Sequence, residues 1–363
     1  MIRTAMVGAL MVASAGLASA SVASAQAPAP TPPPALAPSE IVAAAPAKDW
    51  VGIAPEDLIV MTLAPDPRGG AGRTGERRIV IQLMPAPFSE GWVSNIRTLA
   101  RARWWDGLAI VRVQDNYVVQ WGDPDGEDAA KARALPPGLR VMGEADYVTG
   151  VVQPRMCGNE AALAVCEGGA GANAVSARSL TRPSHDLRDA QPGSPAFYRG
   201  FPVNADMRIQ SIRPDAEAAG STAWPVHCYG MVGVGRNLSP DTGTGAELYT
   251  VIGHAPRHLD RNIALVGRVV EGMEHLSSLA RGTGPLGFYE SAEERTGIAS
   301  IRLASDLPVG EQPSFEYLST ESDTFVRYAE ARANRRDPFF NVPAGGADIC
   351  NVPVPVRRVQ SPG

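Results

Sequence analysis

One arginine lies within a strand-like run of apolar residues, and a second apolar run follows after a short polar break. Arg112 belongs to the first run, residues 108–113, and Gln120 belongs to the second, residues 117–121. A guanidinium is a permanent cation with five N–H donors, and an amide both donates and accepts hydrogen bonds. The two runs predict two short strands, and Arg112 is conspicuous because its cation is set among apolar neighbours.

Other residue patterns are weaker candidates for chemistry. His254 and His258 are four residues apart with Asp260 beyond them, but Pro256 blocks the helix that would place both rings on one face. A β-rich hydrolase with a loop metal site at these three residues therefore remains an alternative. Residues 282–287 match a dinucleotide-binding fingerprint by letter, yet they follow a predicted helix instead of a strand. The sequence contains no G-x-S-x-G elbow of a serine hydrolase.

The overall charge argues against a nucleic-acid partner. Lys and Arg total 33 and Asp and Glu total 38, which gives a formal net charge of −5. Such a balance provides no basic field to hold a phosphate backbone. With 44% hydrophobic residues, the 363-residue chain can bury a substantial core, either as two average domains or as one all-β domain with insertions.

The first 25 residues have the pattern of a secretory signal peptide. Arg3 supplies a positive charge, residues 4–17 are apolar and small, and residues 23–25 form an A-x-A cleavage site. Residues 26–49 are rich in Pro and Ala, which favours an extended linker. No later segment is apolar over enough length to span a bilayer. We therefore expect a protein exported to the periplasm, with its folded part starting near Trp50.

Four cysteines, Cys157, Cys166, Cys228 and Cys350, stand in this chain predicted to be exported. An oxidising compartment favours disulfides, and four cysteines allow three pairings. Because Cys157 and Cys166 enclose a short loop, the first expectation is a local bridge there and a second bridge from Cys228 to Cys350. Zinc binding is disfavoured, since the sequence has no C-x-x-C and the spacings fit metal ligation poorly.

Apolar periodicity predicts a mainly β chain with few helices. The predicted strands cover residues 57–63, 78–83, 108–113, 117–121, 229–235, 247–252, 263–270 and 297–303. The predicted helices cover residues 90–103 with Ser89 as the N-cap, the stripe Met273, Leu276 and Leu279, and residues 325–335. Residues from about 124 to 223 are rich in Gly, Pro and Ala and predict a long, loop-rich insertion.

Three stretches, in this order, resemble the cyclophilin family of peptidyl-prolyl cis-trans isomerases in a divergent, exported bacterial form. They are NIRTLARARWWDG at 95–107 leading to VRV at 111–113 and QWGDP at 120–124, then GMVGVG at 230–235 with GTGAELY at 243–249, and finally HLD at 258–260 followed by VGRVVEGM at 266–273. The resemblance implies a closed antiparallel β-barrel capped by two helices. This domain would span residues 50–310, with the insertion at about 124–223 and a C-terminal extension at 311–363.

The same resemblance implies roles for individual residues. Arg112 matches the catalytic arginine that would donate to the prolyl nitrogen, and Gln120 matches the glutamine that would hold the substrate carbonyl. The matching substrate-binding positions are Tyr117, Val118, Val232, Glu247, Tyr249, His258 and Leu259. Two of these depart from the family, because Glu247 replaces a glutamine and His258 replaces a tryptophan. Glu247 could pair with Arg112 and either orient or occupy its guanidinium.

The function implied by the resemblance is cis-trans isomerisation of X-Pro bonds in exported proteins. Rotation about this bond opposes amide resonance, with a barrier of ~18–20 kcal/mol. An enzyme need only bind the twisted amide more tightly than the planar forms, so no cofactor is implied and the partners would be proline-containing polypeptides. The alternative is a catalytically weak or inactive cyclophilin-like module that binds proline segments or envelope proteins through the insertion.

Overall fold

The computed structural model describes residues 35–65, 76–152, 174–183, 187–189, 191–207 and 220–359, together with the backbone of 155–157 and 164–166. The strands, in chain order, are β1 (Trp50–Gly52), β2 (Leu58–Leu63), β3 (Arg77–Leu83), β4 (Ala109–Val113), β5 (Val118–Gly122), β6 (Thr149–Val152), β7 (Arg155–Cys157), β8 (Ala164–Cys166), β9 (Ala174–Ser176), β10 (Leu187–Arg188), β11 (Ser194–Tyr198), β12 (Phe201–Asp206), β13 (Thr222–Pro225), β14 (Met231–Val234), β15 (Leu248–Val251), β16 (Leu265–Glu271), β17 (Thr296–Leu303), β18 (Phe315–Leu318), β19 (Ala347–Asp348) and β20 (Val356–Arg358). The α-helices are α1 (Pro38–Ala43), α2 (Glu90–Arg101), α3 (Met273–Ser277) and α4 (Asp323–Ala333). The predicted signal peptide lies outside the described residues.

Eight strands close into a barrel in the order β14, β15, β5, β4, β17, β2, β3 and β16. Every neighbouring pair in this barrel is antiparallel. Closure leaves no unpaired sheet edge, and large apolar side chains such as Trp105 and Trp121 are fully buried in the core. Helix α2 packs on β17 and α3 packs on β3. The predicted helix-capped barrel is therefore confirmed.

Helix α2 connects the barrel core to the loop between β14 and β15. Its apolar stripe, Trp92, Ile96 and Leu99, is buried as the spacing predicts. The Trp92 indole N–H donates to the carbonyl of Gly243 at 3.0 Å, which ties that loop to the helix. Ser89 is the N-cap residue, as predicted, but it has a left-handed φ of 51° and its side chain makes no cap hydrogen bond.

The insertion forms a second sheet, where the sequence predicted mainly loops. Strands β11, β12, β13, β6 and β9 lie side by side in that order, and only the β6 and β9 pair is parallel. Prolines at 195, 202 and 225 interrupt the strand pattern in the sequence, because proline cannot donate to a β-ladder. The sheet packs on the C-terminal extension, where the rings of Phe197 and Phe325 meet edge to face at 5.0 Å.

The chain segments before and after the barrel pack together. Strands β1, β18 and β20 form a three-stranded sheet, and α1 packs against α4. Residues 35–49 therefore do not form the extended linker predicted for them, because Ile41 and Val42 of α1 find apolar partners at the core. The Ala37 N–H donates to the Glu40 carboxylate at 2.7 Å and fixes the start of this helix.

One of the two expected disulfides is present. Cys228 and Cys350 are bonded, with their Cα atoms 5.1 Å apart, and the bond attaches the C-terminal extension to the segment before β14. Strands β7 and β8 pair antiparallel. The side chains of Cys157 and Cys166 lie outside what the structure describes, so their pairing stays a prediction. Within the described residues, no helix combines the length and apolarity needed to cross a membrane.

Candidate active site

The hairpin of β4 and β5 brings Arg112 and Gln120 together, as the sequence predicts. The two residues are register partners across the hairpin, next to a bulge after Ile110. One terminal nitrogen of the Arg112 guanidinium donates to the Gln120 side-chain oxygen at 3.4 Å. Because both side chains then project from the same place on the barrel wall, they can contact one bound peptide group.

Arg112 is held by groups from three sides. Its Nε–H donates to the carbonyl of Leu286 at 2.8 Å, and its Nη2 donates to the side-chain oxygen of Gln114. The guanidinium carbon lies 5.6 Å from the ring centre of Tyr117 and 5.3 Å from that of Phe288, distances typical of cation–π contacts. Partial burial lowers the pKa of Arg112 below its usual value. Each terminal nitrogen carries two N–H groups, so a hydrogen remains on each for a ligand.

A groove of about 830 Å³ opens beside this arginine. Six of the residues assigned to the site besides Arg112 line it: Tyr117, Val118, Gln120, Glu247, Tyr249 and Leu259. Val118 and Tyr249 form its apolar floor, and they pack on the buried Val251 and on Ile263, which also lines the groove. This arrangement combines a cation at the rim with an apolar floor, which suits a ligand that is a polar amide joined to a small hydrocarbon ring.

Two of the assigned substrate-binding residues, Val232 and His258, do not line the groove. Val232 is only 1% exposed and belongs to the main core, so its assignment to the groove is wrong. Strand β14 is buried on both faces along its whole length, so its sequence pattern does not indicate which of its residues reach the groove. His258 is exposed and does not line the groove itself, although its ring stacks on that of the lining residue Tyr117, with the ring centres 6.5 Å apart.

The alternative metal site is not formed. Asp260 is buried and accepts hydrogen bonds from His227 and Arg257, so its carboxylate is already occupied. His254 contributes its backbone N–H to the side chain of Asn116, which fixes the turn between β4 and β5. Among the residues the structure describes, no group of His, Cys, Asp and Glu side chains is arranged to hold a metal ion.

Glu247 hydrogen-bonds Asp123 and Gln120, not Arg112. Its carboxylate accepts the backbone N–H of Asp123 at 2.7 Å and also hydrogen-bonds the side chain of Gln120. The carboxylate lies directly over Gly122, where a Cβ atom would be only 2.0 Å from an oxygen. Burial is the main cause that raises the pKa of Glu247 to about 7. Glu247 thus contacts Arg112 only indirectly, through Gln120.

Sequence reasoning missed two features of the site. The first is the loop after α3, in which the carbonyl of Leu286 and the ring of Phe288 contact the guanidinium of Arg112. The second is His227, a fully buried histidine whose Nε2 lies 2.8 Å from the hydroxyl of Tyr249. The residues that His227 hydrogen-bonds, Tyr249 and Asp260, are 22 and 33 residues away along the chain. The sequence therefore gives no local pattern for His227 beyond its position beside Cys228.

Comparison with known proteins finds a matching family and a solved structure of similar fold. Residues 73–301 match the family described as cyclophilin type peptidyl-prolyl cis-trans isomerase/CLD. The crystal structure of the cyclophilin AquaCyp293 from Hirschia baltica is similar in fold, with a TM-score of 0.59 and 20% identity over 86% of this chain and 95% of that one. A Cryptosporidium parvum cyclophilin type peptidyl-prolyl cis-trans isomerase matches at a TM-score of 0.34 and 9% identity over 68% of this chain and 96% of its own.

None of the curated proteins is a significant sequence match to this chain. The family match nevertheless spans most of the barrel, including the strands that carry Arg112, Gln120 and Tyr249. On these grounds the chain belongs to the cyclophilin-type peptidyl-prolyl cis-trans isomerases.

Proposed function

We propose that this isomerase acts on X-Pro bonds of exported proteins in the periplasm and that Arg112 is its catalytic residue. The observation that carries the proposal is the guanidinium of Arg112, held by Leu286 and Gln120 at the rim of an apolar groove. A proline ring would lie on the floor formed by Val118 and Tyr249, with its amide bond beside the cation.

The proposed mechanism is preferential binding of the twisted amide. Twisting about the X-Pro bond frees the lone pair of the prolyl nitrogen, which then accepts a hydrogen bond that the planar amide cannot accept. A hydrogen bond to a charged donor contributes about 1.5–3 kcal/mol, and each ~1.4 kcal/mol gives about a tenfold rate increase. Arg112 would therefore supply about ten- to a hundredfold, with Gln120 holding the substrate carbonyl in place.

The proposed location depends on two supporting observations. Residues 1–25 have the composition of a secretory signal peptide. The disulfide between Cys228 and Cys350 is of a kind that persists in oxidising compartments such as the periplasm. The proposed clients are exported polypeptides with exposed proline bonds.

A direct assay of cis-to-trans conversion in a proline-containing tetrapeptide tests the catalytic role. The comparison is wild type, Arg112→Ala, and Arg101→Ala as a matched control, because Arg101 is an exposed arginine on α2 that pairs with Asp306. We expect kcat/KM to fall about ten- to a hundredfold for Arg112→Ala and to be unchanged for the control. Equal rates in all three proteins would refute the role of Arg112.

A further inference from the structure

Tyr249 has a buried hydroxyl at the apolar floor of the groove. The residue is 5% exposed, and its ring faces the groove from β15. The tip of the ring passes over Gly233 on the neighbouring strand, where a Cβ atom would be 2.4 Å from the hydroxyl oxygen. A buried hydroxyl without a partner is costly, so this tyrosine needs a hydrogen-bond partner beneath the floor.

His227 is that partner, and its environment fixes the direction of the hydrogen bond. Its Nδ1 lies 2.9 Å from a carboxylate oxygen of Asp260, and its Nε2 lies 2.8 Å from the hydroxyl oxygen of Tyr249. Burial lowers the pKa of His227 and raises that of Tyr249, which favours a neutral ring and a protonated phenol. The Nδ1–H therefore donates to Asp260, and the Tyr249 O–H donates to Nε2.

A chain of ion pairs extends from this histidine into the inserted sheet region. Asp260 accepts the backbone N–H of His227 at 2.9 Å and the Nε–H of Arg257 at 2.7 Å. The two terminal nitrogens of Arg257 donate to both oxygens of Asp189 at 2.9 and 2.6 Å. Asp189 belongs to the insertion, and Asp260 directly follows the groove residue Leu259.

We infer that His227 is a positioning residue for the isomerase reaction, because its hydrogen bond holds the Tyr249 ring in place as part of the floor of the proline-binding groove. The ion pairs of Arg257 with Asp260 and Asp189 make the insertion part of this support. The inference rests on the proposed function for its kinetic consequence, but the hydrogen bond itself can be tested by peptide binding alone.

The inference predicts a particular pattern in a double-mutant cycle of His227→Gln and Tyr249→Phe. We expect His227→Gln alone to raise both the KM and the Kd for an Ala-Ala-Pro-Phe peptide about three- to tenfold, with kcat changed less. In the Tyr249→Phe background the same substitution should change neither constant, because no hydroxyl remains to be held. Asp189→Asn should produce a smaller rise in KM and Kd than His227→Gln.

Equal effects of His227→Gln in both backgrounds would overturn the inference, since His227 would then only stabilise the fold. Where the buried variants do not fold, nitrogen NMR of the wild-type histidine rings provides the test. We expect His227 to be neutral at pH 7 with the proton on Nδ1 and an Nε2 that shows the shift of a hydrogen-bonded nitrogen, and an Nε2 with the shift of a nitrogen free of hydrogen bonds would overturn the inference. Absence of isomerisation with the predicted coupling in Kd would refute the proposed function and its kinetic consequence, and would leave intact the inference that His227 positions Tyr249 for peptide binding.

Discussion

Replacing Glu247 by glutamine should stabilise the protein, and only at neutral and alkaline pH. The buried carboxyl has its pKa raised from 4.5 to about 7. The folded state therefore binds this proton more tightly than the unfolded chain does. The stabilisation that this tighter proton binding contributes is fully present below pH 4.5 and is lost as the pH rises to about 7. A difference of about 2.5 pKa units corresponds to about 3 kcal/mol, because each unit is about 1.4 kcal/mol.

Glutamine keeps the shape of the side chain but has no charge to bury. We expect the free energy of unfolding of Glu247→Gln to exceed that of wild type by about 2–3 kcal/mol at pH 8 and to differ little at pH 4.5. Urea unfolding at several pH values measures this, with the exposed Glu290→Gln as the matched control. If the free energy of unfolding of wild type and of Glu247→Gln changed in parallel with pH, the argument would be refuted. That argument is that burial, and not an ion pair with Arg112, sets the pKa of the Glu247 carboxyl.

Three further predictions concern the disulfide and the groove. The bond between Cys228 and Cys350 links residues 122 positions apart, so replacing both by serine should lower the free energy of unfolding by about 4–5 kcal/mol in urea. Gly122→Ala should displace the Glu247 carboxylate and destabilise the fold by about 1–3 kcal/mol, with wild-type stability contradicting the close approach. Phe288→Ala removes one ring from the guanidinium of Arg112 and should lower kcat/KM about three- to tenfold. Because Phe288 is 38% exposed, the melting temperature of the Phe288→Ala variant should differ little from that of wild type. An unchanged kcat/KM would contradict a role for the contact between Phe288 and Arg112.

The part of the site that the sequence predicted is the part built by local structure. Arg112 and Gln120 lie on adjacent strands joined by a short turn, so the hairpin determines their proximity without reference to the rest of the chain. Helix α2 and the barrel strands were likewise visible from their apolar periods. Val232 was assigned from the resemblance alone, and in this chain that position of the fully buried strand β14 belongs to the main core.

The features that the sequence did not predict depend on distant contacts. His227 gains its role only when β15 and the turn before β16 place Tyr249 and Asp260 around it. The inserted sheet has short strands interrupted by prolines, and these strands pair with one another and contact α4 through the rings of Phe197 and Phe325. Similarly, α1 is six residues long and depends on its contact with α4. Composition alone suggested loops and a linker at these places.

The central claim is that Arg112 accelerates rotation of a bound prolyl amide, and exchange NMR at saturating peptide tests it most directly. This measurement detects cis and trans forms interconverting on the protein, so it separates catalysis from binding. We predict strong exchange cross-peaks between the cis and trans signals with wild type. With Arg112→Ala we predict peptide shift changes that still report binding, but exchange on the protein that is about ten- to a hundredfold slower and correspondingly weaker cross-peaks. Cross-peaks of equal intensity with both proteins would contradict the account.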